Sequence, residues 1–132
     1  MRYLLDTNIV SHLLRDPHGK CRSHILRVGI DNVCTSLIVL AEVRFGIEKV
    51  RSQKLSRRLD LVLEDLTVLP LLPPVDVNYA SLRAKLEVAG SQIGANDMLI
   101  AAHVMTLGAT LATDNVAEFS RVDGLLVENW LR

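Results

Sequence analysis

Four carboxylates, Asp6, Glu42, Asp97 and Asp114, stand where this apolar chain leaves a strand or enters or crosses a helix. Open α/β sheets bind their ligands near such positions, beyond the carboxyl ends of the strands. Hard divalent cations such as Mg²⁺ prefer oxygen ligands, and a bound cation can activate water and neutralise charge on a phosphodiester. If the four acids converge, they therefore predict a metal-dependent site for phosphate chemistry.

Asp6 and Asp114 have similar surroundings in the sequence. Asp6 ends the apolar run 3–5 and Asp114 ends the run 110–113, and an asparagine follows each acid within two residues. Acids that end two strands of a parallel sheet would share its carboxyl edge. Alone, either aspartate is explained equally well as a turn or cap residue. Their common placement is what favours a shared site.

Asp97 and Glu42 belong to predicted helices. Asp97 falls in a first helical turn, where the helix dipole favours a carboxylate whether or not a ligand binds. Glu42 interrupts the apolar stretch 37–43, in a helix that we expect to be mostly buried. A carboxylate buried there is costly unless it is paired, protonated or bound to a cation. Glu42 is therefore the acid that a purely structural role explains least well.

Alternating strands and helices are predicted to position these acids. The predicted strands cover 2–5, 32–34, 66–72, 110–113 and 125–127, and the predicted helices cover 8–14, 21–28, 56–64, 77–89, 96–107 and a segment that starts at 37. This alternation favours an α/β fold with a central parallel sheet flanked by helices. A length of 132 residues and a hydrophobic content of 49% fit a single domain over 1–132.

Composition narrows the function classes. The 15 basic and 15 acidic residues balance, so the chain lacks the overall positive field of most nucleic-acid binders. Residues 44–58 nevertheless carry six basic side chains against Glu48 alone. The apolar runs are too short to cross a membrane and the N-terminus has no secretory pattern, so we expect a cytoplasmic protein. Cys21 and Cys34 lack a CxxC spacing, which disfavours a structural zinc site.

Ordered motifs along the chain resemble those of PIN-domain ribonucleases, most closely the VapC-type toxins. They are Leu-Leu-Asp-Thr-Asn at 4–8, Ala-Glu-Val at 41–43 with Gly46 one turn on, Ile-Gly-Ala-Asn-Asp within 93–103, and Ala-Thr-Asp-Asn within 108–115. The segments Glu-Phe at 118–119 and Val-Glu-Asn-Trp at 127–130 fit as well. The resemblance covers nearly the whole chain in the right order.

This resemblance implies a Mg²⁺- or Mn²⁺-dependent endoribonuclease that is the toxin of a type II toxin-antitoxin pair. Its metal ligands would be Asp6, Asp97 and Glu42. Such proteins form homodimers, and many of them cut structured RNA, notably transfer RNA or ribosomal RNA. A cognate VapB-type antitoxin holds them inactive by laying its C-terminal segment across the active-site groove.

The last motif departs from the common pattern. Many PIN domains read Thr-x-Asp there, which would place the acid at Asn115, whereas this chain carries Asp114. The fourth catalytic acid is thus open, and Asp114 would act through water or on the substrate. The resemblance also implies that Asn8, Thr113 and Asn115 support the metal ligands or their water. Arg44 would bind substrate phosphate or pair with an acid.

Two other classes of protein share parts of this pattern. A PIN-like protein that only binds RNA or a partner could keep this fold without turnover, and the intact acids argue against it. A phosphatase of the haloacid-dehalogenase type would need a second aspartate two residues after Asp6, where this chain has Asn8, and a well-placed lysine that it lacks.

Overall fold

The structure is a computed structural model that describes residues 2–132. Over that range five strands form one parallel sheet: β1 Tyr3–Leu5, β2 Val33–Ser36, β3 Thr67–Leu69, β4 Thr110–Thr113 and β5 Val127–Asn129. The helices of the same range are α1 Thr7–Arg15, α2 Lys20–Val28, α3 Leu37–Val50, α4 Gln53–Leu63, α5 Val75–Ala89, α6 Ala95–Leu107 and α7 Val116–Phe119. The predicted α/β fold with a central parallel sheet is confirmed.

The strand order is β3-β2-β1-β4-β5, with β1 at the centre. The chain builds outward from β1 on one side through β2 and β3, and then crosses to the other side for β4 and β5. The strand order therefore reverses between β1 and β4. In open α/β sheets such a point leaves a crevice beyond the carboxyl ends of the strands, where ligands bind.

The core lies on both faces of the sheet. Leu4, Leu5, Val33 and Leu111 are fully buried, as expected for a parallel sheet covered by helices on both sides. The longer crossover helices α5 and α6 both end at a glycine in the left-handed region, Gly90 and Gly108 with φ of 65° and 63°. The stop at Gly108 returns the chain to β4, and the stop at Gly90 ends α5 before the loop that leads to α6.

Two expectations were wrong. The helix of Glu42 was expected to be mostly buried, but α3 buries only Val39 and Val43, and Phe45 is 68% exposed. The last strand was expected at 125–127 and lies at Val127–Asn129, because its register follows β4 and sets Trp130 in the core. Within residues 2–132, no helix is both long enough and apolar enough to span a membrane.

Candidate active site

Asp6 lies at the carboxyl end of the central strand and is only 4% exposed. Its backbone N–H bonds to Ala112 O of β4 at 3.1 Å, and its Oδ1 caps α1 by accepting from Ile9 N at 3.0 Å. Thr113 Oγ1 donates to the other carboxylate oxygen. Burial raises the pKa of Asp6 to about 6, although these hydrogen bonds act in the opposite direction. Asp6 is therefore a fixed, poorly solvated carboxylate.

Asp114 lies beside Asp6, as the strand pattern predicted. Its Oδ1 accepts from Asn8 Nδ2 at 3.2 Å, which joins the loop after β4 to the first turn of α1. The charge of Asp114 also contributes to the raised pKa of Asp6. Unlike Asp6, Asp114 is exposed to solvent. The two acids share the crevice between β1 and β4, with Asp114 at its rim.

Glu42 reaches the same crevice from α3. Its Oε1 accepts a hydrogen bond of 2.7 Å from Thr7 Oγ1, the residue that follows Asp6. Glu42 is half-buried, and its charge contributes to the raised pKa of Asp97. Thr7 had not been singled out from the sequence, although its place directly after Asp6 puts its hydroxyl at the same edge of the sheet.

Asp97 stands in the first turn of α6 and faces three other acids. Its pKa is raised to about 7, first by burial, then by the charge of Glu118 and a hydrogen bond with it, and then by Glu42 and Asp6. Gly94, one turn earlier, leaves room for this carboxylate, since a Cβ there would lie 3.3 Å from Asp97 Oδ2. The charges of Asp6, which follows β1, and of Glu42 on α3 thus act on Asp97 of α6.

Glu118 on α7 is the member of this group that the sequence analysis did not assign. Its Oε1 accepts from Gly94 N at 3.1 Å, and its Oε2 accepts from Asn115 Nδ2. It therefore joins α7 to the loop before Asp97. An asparagine followed three residues later by a glutamate is a helix-start pattern that turns the glutamate toward the amino end of its helix. Here that end faces the crevice, so this pattern could have indicated Glu118.

The predicted supporting residues lie among the acids. Thr113 is fully buried, donates to Asp6 and accepts from Asn115 N at 2.9 Å. Asn115 orients Glu118, and Asn8 orients Asp114. Each of these partners is a neutral donor. They hold the carboxylates in place without cancelling their charge.

Two other polar residues lie apart from the acid group. His103 is buried on α6, and its Nδ1 hydrogen-bonds with Ser36 Oγ at 2.9 Å; burial lowers the pKa of His103. This bond serves packing between α6 and the start of α3. Arg44 is exposed on α3, and it lies about 200° around the helix from Glu42 at 100° per residue. Its role in binding substrate stays a prediction.

The donor set suits a hard divalent cation. It consists of oxygen ligands on four elements, and without a cation the acids raise the pKa values of their neighbours. Across residues 2–132 no three acidic, histidine or cysteine side chains are positioned to surround one ion as they stand. The acids thus share one crevice without converging on a single point.

Comparison with known proteins identifies the family of this chain. The PIN domain model matches residues 3–125, and the chain therefore belongs to the PIN-domain family. It is 36% identical over 132 residues to ribonuclease VapC2 of Rickettsia felis, with 98% of each chain covered. It is 29% identical over 133 residues to the tRNA(fMet)-specific endonuclease VapC of Shigella flexneri, again with 98% of each covered. Within the PIN domains it groups with the VapC ribonucleases.

The fold of a solved relative is also close. VapBC2 from Rickettsia felis, bound to a DNA fragment from its promoter, superposes with a TM-score of 0.87 at 36% identity. The match covers 98% of this chain and 99% of that chain. Nearly the whole domain, including β5, which lies beyond the last matched residue of the family model, is therefore shared with that relative.

Proposed function

We propose that this protein is a divalent-metal-dependent endoribonuclease, with Asp6, Asp97 and Glu42 as the residues that would hold Mg²⁺ or Mn²⁺. The observation that carries the proposal is the grouping of Asp6, Glu42, Asp97 and Glu118 in one crevice, where burial and the charges of the other three acids raise the pKa of Asp97. Four acids placed this way, of which Asp6, Glu42 and Glu118 accept hydrogen bonds from neutral donors, have an unbalanced negative charge that a cation would offset. Bound there, the cation would supply an activated water and charge neutralisation at the scissile phosphate.

The chain's own residues have separate tasks in this proposal. Asp6 is fixed by Ile9 N and Thr113, so it defines the floor of the site. Thr7 aims Glu42 across the crevice. Glu118 holds the Gly94 loop and extends the acid group to a fourth member. Asp114 at the rim is placed to act on water or on the RNA rather than at the floor.

The partners follow from the relatives. The solved relative is a VapBC complex, so we propose that a VapB-type antitoxin binds this chain and blocks its activity. The substrate is proposed to be structured RNA, and transfer RNA is favoured because a relative of 29% identity is a tRNA(fMet)-specific endonuclease. We propose that the toxin forms a homodimer and acts in the cytoplasm.

Cleavage of bulk transfer RNA by the antitoxin-free protein tests this function. We expect cleavage with Mn²⁺ or Mg²⁺, none with chelator, and a loss of at least about 100-fold in Asp97→Asn, because that change removes a carboxylate from the floor of the site. The control is the circular dichroism spectrum, which should match the wild type. Cleavage that persists in chelator would contradict the metal requirement. Metal-independent RNA binding with no cleavage of transfer or ribosomal RNA would favour the binding-only alternative.

A further inference from the structure

We propose that the phosphate backbone of the RNA leaves the acid group through a cleft between α1 and α3 and meets the basic turn between α3 and α4. This inference rests on the proposed function, and it adds a path for the substrate and the residues that recognise it. The basic turn is defined here by Lys49, Arg51 and Lys54. The cleft is lined by residues of three helices, Ser11, Leu14, Arg15, Glu42, Gly46 and Leu55.

The cleft connects the acid group to the basic turn. Glu42 belongs to both the acid group and the cleft, and Leu55, in the first turn of α4, marks the other end. The turn itself is fixed by Ser52, whose backbone N–H bonds to Ile47 O at 3.4 Å and whose Oγ accepts from Leu55 N at 3.1 Å. The cleft volume is about 50 Å³. It is therefore small, of a size for a phosphate group or a few waters rather than a base.

Gly46 forms the open wall of this cleft. It lies inside α3, one turn after Glu42, and a Cβ there would meet nothing within 4 Å. The fold itself therefore does not require a glycine at this position. Glycine is the least favourable helix residue after proline, and alanine would be better for stability. Its missing side chain leaves space beside Glu42 that a ligand can use.

Arg51 is the opposite case, a residue with a side chain at a position where glycine would be more stable. It caps α3 in the left-handed region with φ of 52°, a conformation that favours glycine and disfavours a residue with a Cβ. Stability alone would thus place alanine at 46 and glycine at 51. Two departures from local preference, one in the wall of the cleft and one in the adjoining basic turn, are typical of a functional site.

The charges identify the ligand class. The chain as a whole is neutral, but residues 44–58 hold six basic side chains and one acid. In the described range of 2–132 the ion pairs are Arg27 with Glu128 and Arg83 with Glu87, so no side chain of the basic turn belongs to an ion pair there. Arg58 of this segment instead donates to Leu14 O at 2.7 Å and ties α4 to α1.

A polyanion fits both ends of the path. The basic turn attracts phosphates, and the acid group admits a phosphodiester once a cation is present. Arg15 lines the cleft, so a positive side chain also lies between the acid group and the basic turn. The proposed nuclease activity requires a phosphodiester at the acid group, which an acidic protein segment does not provide. RNA is therefore the occupant that the whole path favours.

Two variants test this path because stability and binding should change in opposite directions. Gly46→Ala and Arg51→Gly should each raise the unfolding temperature, by about 2–4 °C for a domain of this size, since each corrects a local mismatch. Both should weaken binding of labelled bulk transfer RNA by about three- to tenfold, measured with Ca²⁺ in place of Mg²⁺, because Ca²⁺ takes oxygen ligands in a looser geometry, and with the RNA checked to be intact. Arg51→Gly should also reduce the slope of log affinity against log salt by about 1.

Matched controls lie on α5. Ser81→Ala improves helix propensity at an exposed site away from the cleft, and Lys85→Ala removes an equal charge there. Neither should change RNA affinity by more than about 1.5-fold. Lys49→Ala and Lys54→Ala, which leave the backbone conformation alone, should weaken binding in the same way as Arg51→Gly.

Three results would overturn the path. The first is equal weakening by the α5 controls, and the second is wild-type RNA affinity in all the cleft and turn variants. The third is loss of VapB-type antitoxin binding with RNA affinity intact, which would assign the cleft to a protein partner. A failure of the proposed nuclease function looks different, because the charge variants would still weaken RNA binding while no metal produced cleavage.

Discussion

Replacing Asp6 by asparagine should make the protein more stable at neutral pH while it abolishes cleavage. Asp6 is 4% exposed, and its pKa is raised from 3.8 to about 6, chiefly by burial. One pKa unit corresponds to about 1.4 kcal/mol, so the ionised carboxylate lowers the free energy of unfolding by about 3 kcal/mol above pH 6. Asparagine is as good a helix cap as aspartate, so the bond from Ile9 N should survive.

The expected gain in the free energy of unfolding is smaller than the full cost of the ionised carboxylate. The hydroxyl of Thr113 donates to Asp6 and would lose that acceptor, at a cost of about 1 kcal/mol. We therefore expect Asp6→Asn to raise the free energy of unfolding by about 2 kcal/mol at pH 7.5. With an unfolding entropy of about 2.1 cal/mol/K per residue, that corresponds to about 5–8 °C in unfolding temperature.

The pH dependence has a definite sign. The pKa of Asp6 is raised in the folded protein, so this carboxyl favours folding when protonated, and that contribution is lost as pH rises from 3.8 through about 6. The stability advantage of Asp6→Asn should thus be full above pH 6 and shrink below it. Urea unfolding of both proteins in chelator from pH 4.5 to 8, with the urea dependence checked for equality, measures this difference.

Added Mn²⁺ supplies the control. It should stabilise the wild type in proportion to the logarithm of its concentration and have little effect on Asp6→Asn, because the variant lacks a ligand. A variant less stable than the wild type at pH 7.5 in chelator would refute the view that the buried charge of Asp6 opposes folding. Equal stabilisation of both proteins by Mn²⁺ would remove Asp6 from the metal ligands.

The other predictions concern the remaining acids and one packing contact. Glu118→Gln removes the charge beside Asp97, so the pKa of Asp97 should fall from about 7 and the acidic limb of the pH-rate profile should move to lower pH; an unmoved limb would contradict the pairing. Asp114→Asn keeps a partner for Asn8 and should reduce cleavage less than about tenfold, and a larger loss would place Asp114 among the metal ligands. Ser36→Ala removes the cap of α3 and leaves His103 without its partner, so urea unfolding should show a loss of about 2–3 kcal/mol, with Ser36→Thr as the hydroxyl-retaining control.

The strands that carry the acids were predictable because their ends are marked in the sequence. The fourth strand was placed at 110–113 and lies there, since Gly108 stops α6 in the left-handed region and Asp114 ends the apolar run. The last strand was misplaced because its position depends on pairing with β4. Leu126, which seemed suited to a strand, is 64% exposed instead.

Burial of α3 could not be predicted from composition. Its apolar residues indicated a covered helix, yet Leu37, Phe45 and Val50 are exposed in the single chain. The apolar residues of a helix show how much surface it could bury. They do not show which of its faces the rest of the domain covers. Glu118 was missed for a related reason, since it joins the site through Gly94, a contact between residues 24 apart. Side-chain contacts across such distances arise from packing, which one sequence does not display.

The way the acids are held explains why they stay available for a cation. Thr7, Asn8, Thr113 and Asn115 each give a hydrogen bond to a carboxylate, and all of them are neutral. An arginine or lysine in their place would orient an acid equally well but would cancel its charge and compete with the metal. Neutral donors fix the positions of the carboxylates and leave their negative charge in place. The repulsion among these charges contributes to the raised pKa values of Asp6 and Asp97. Such a group of acids destabilises the folded protein most at neutral pH without a bound cation. The free energy of unfolding should therefore rise when a metal binds.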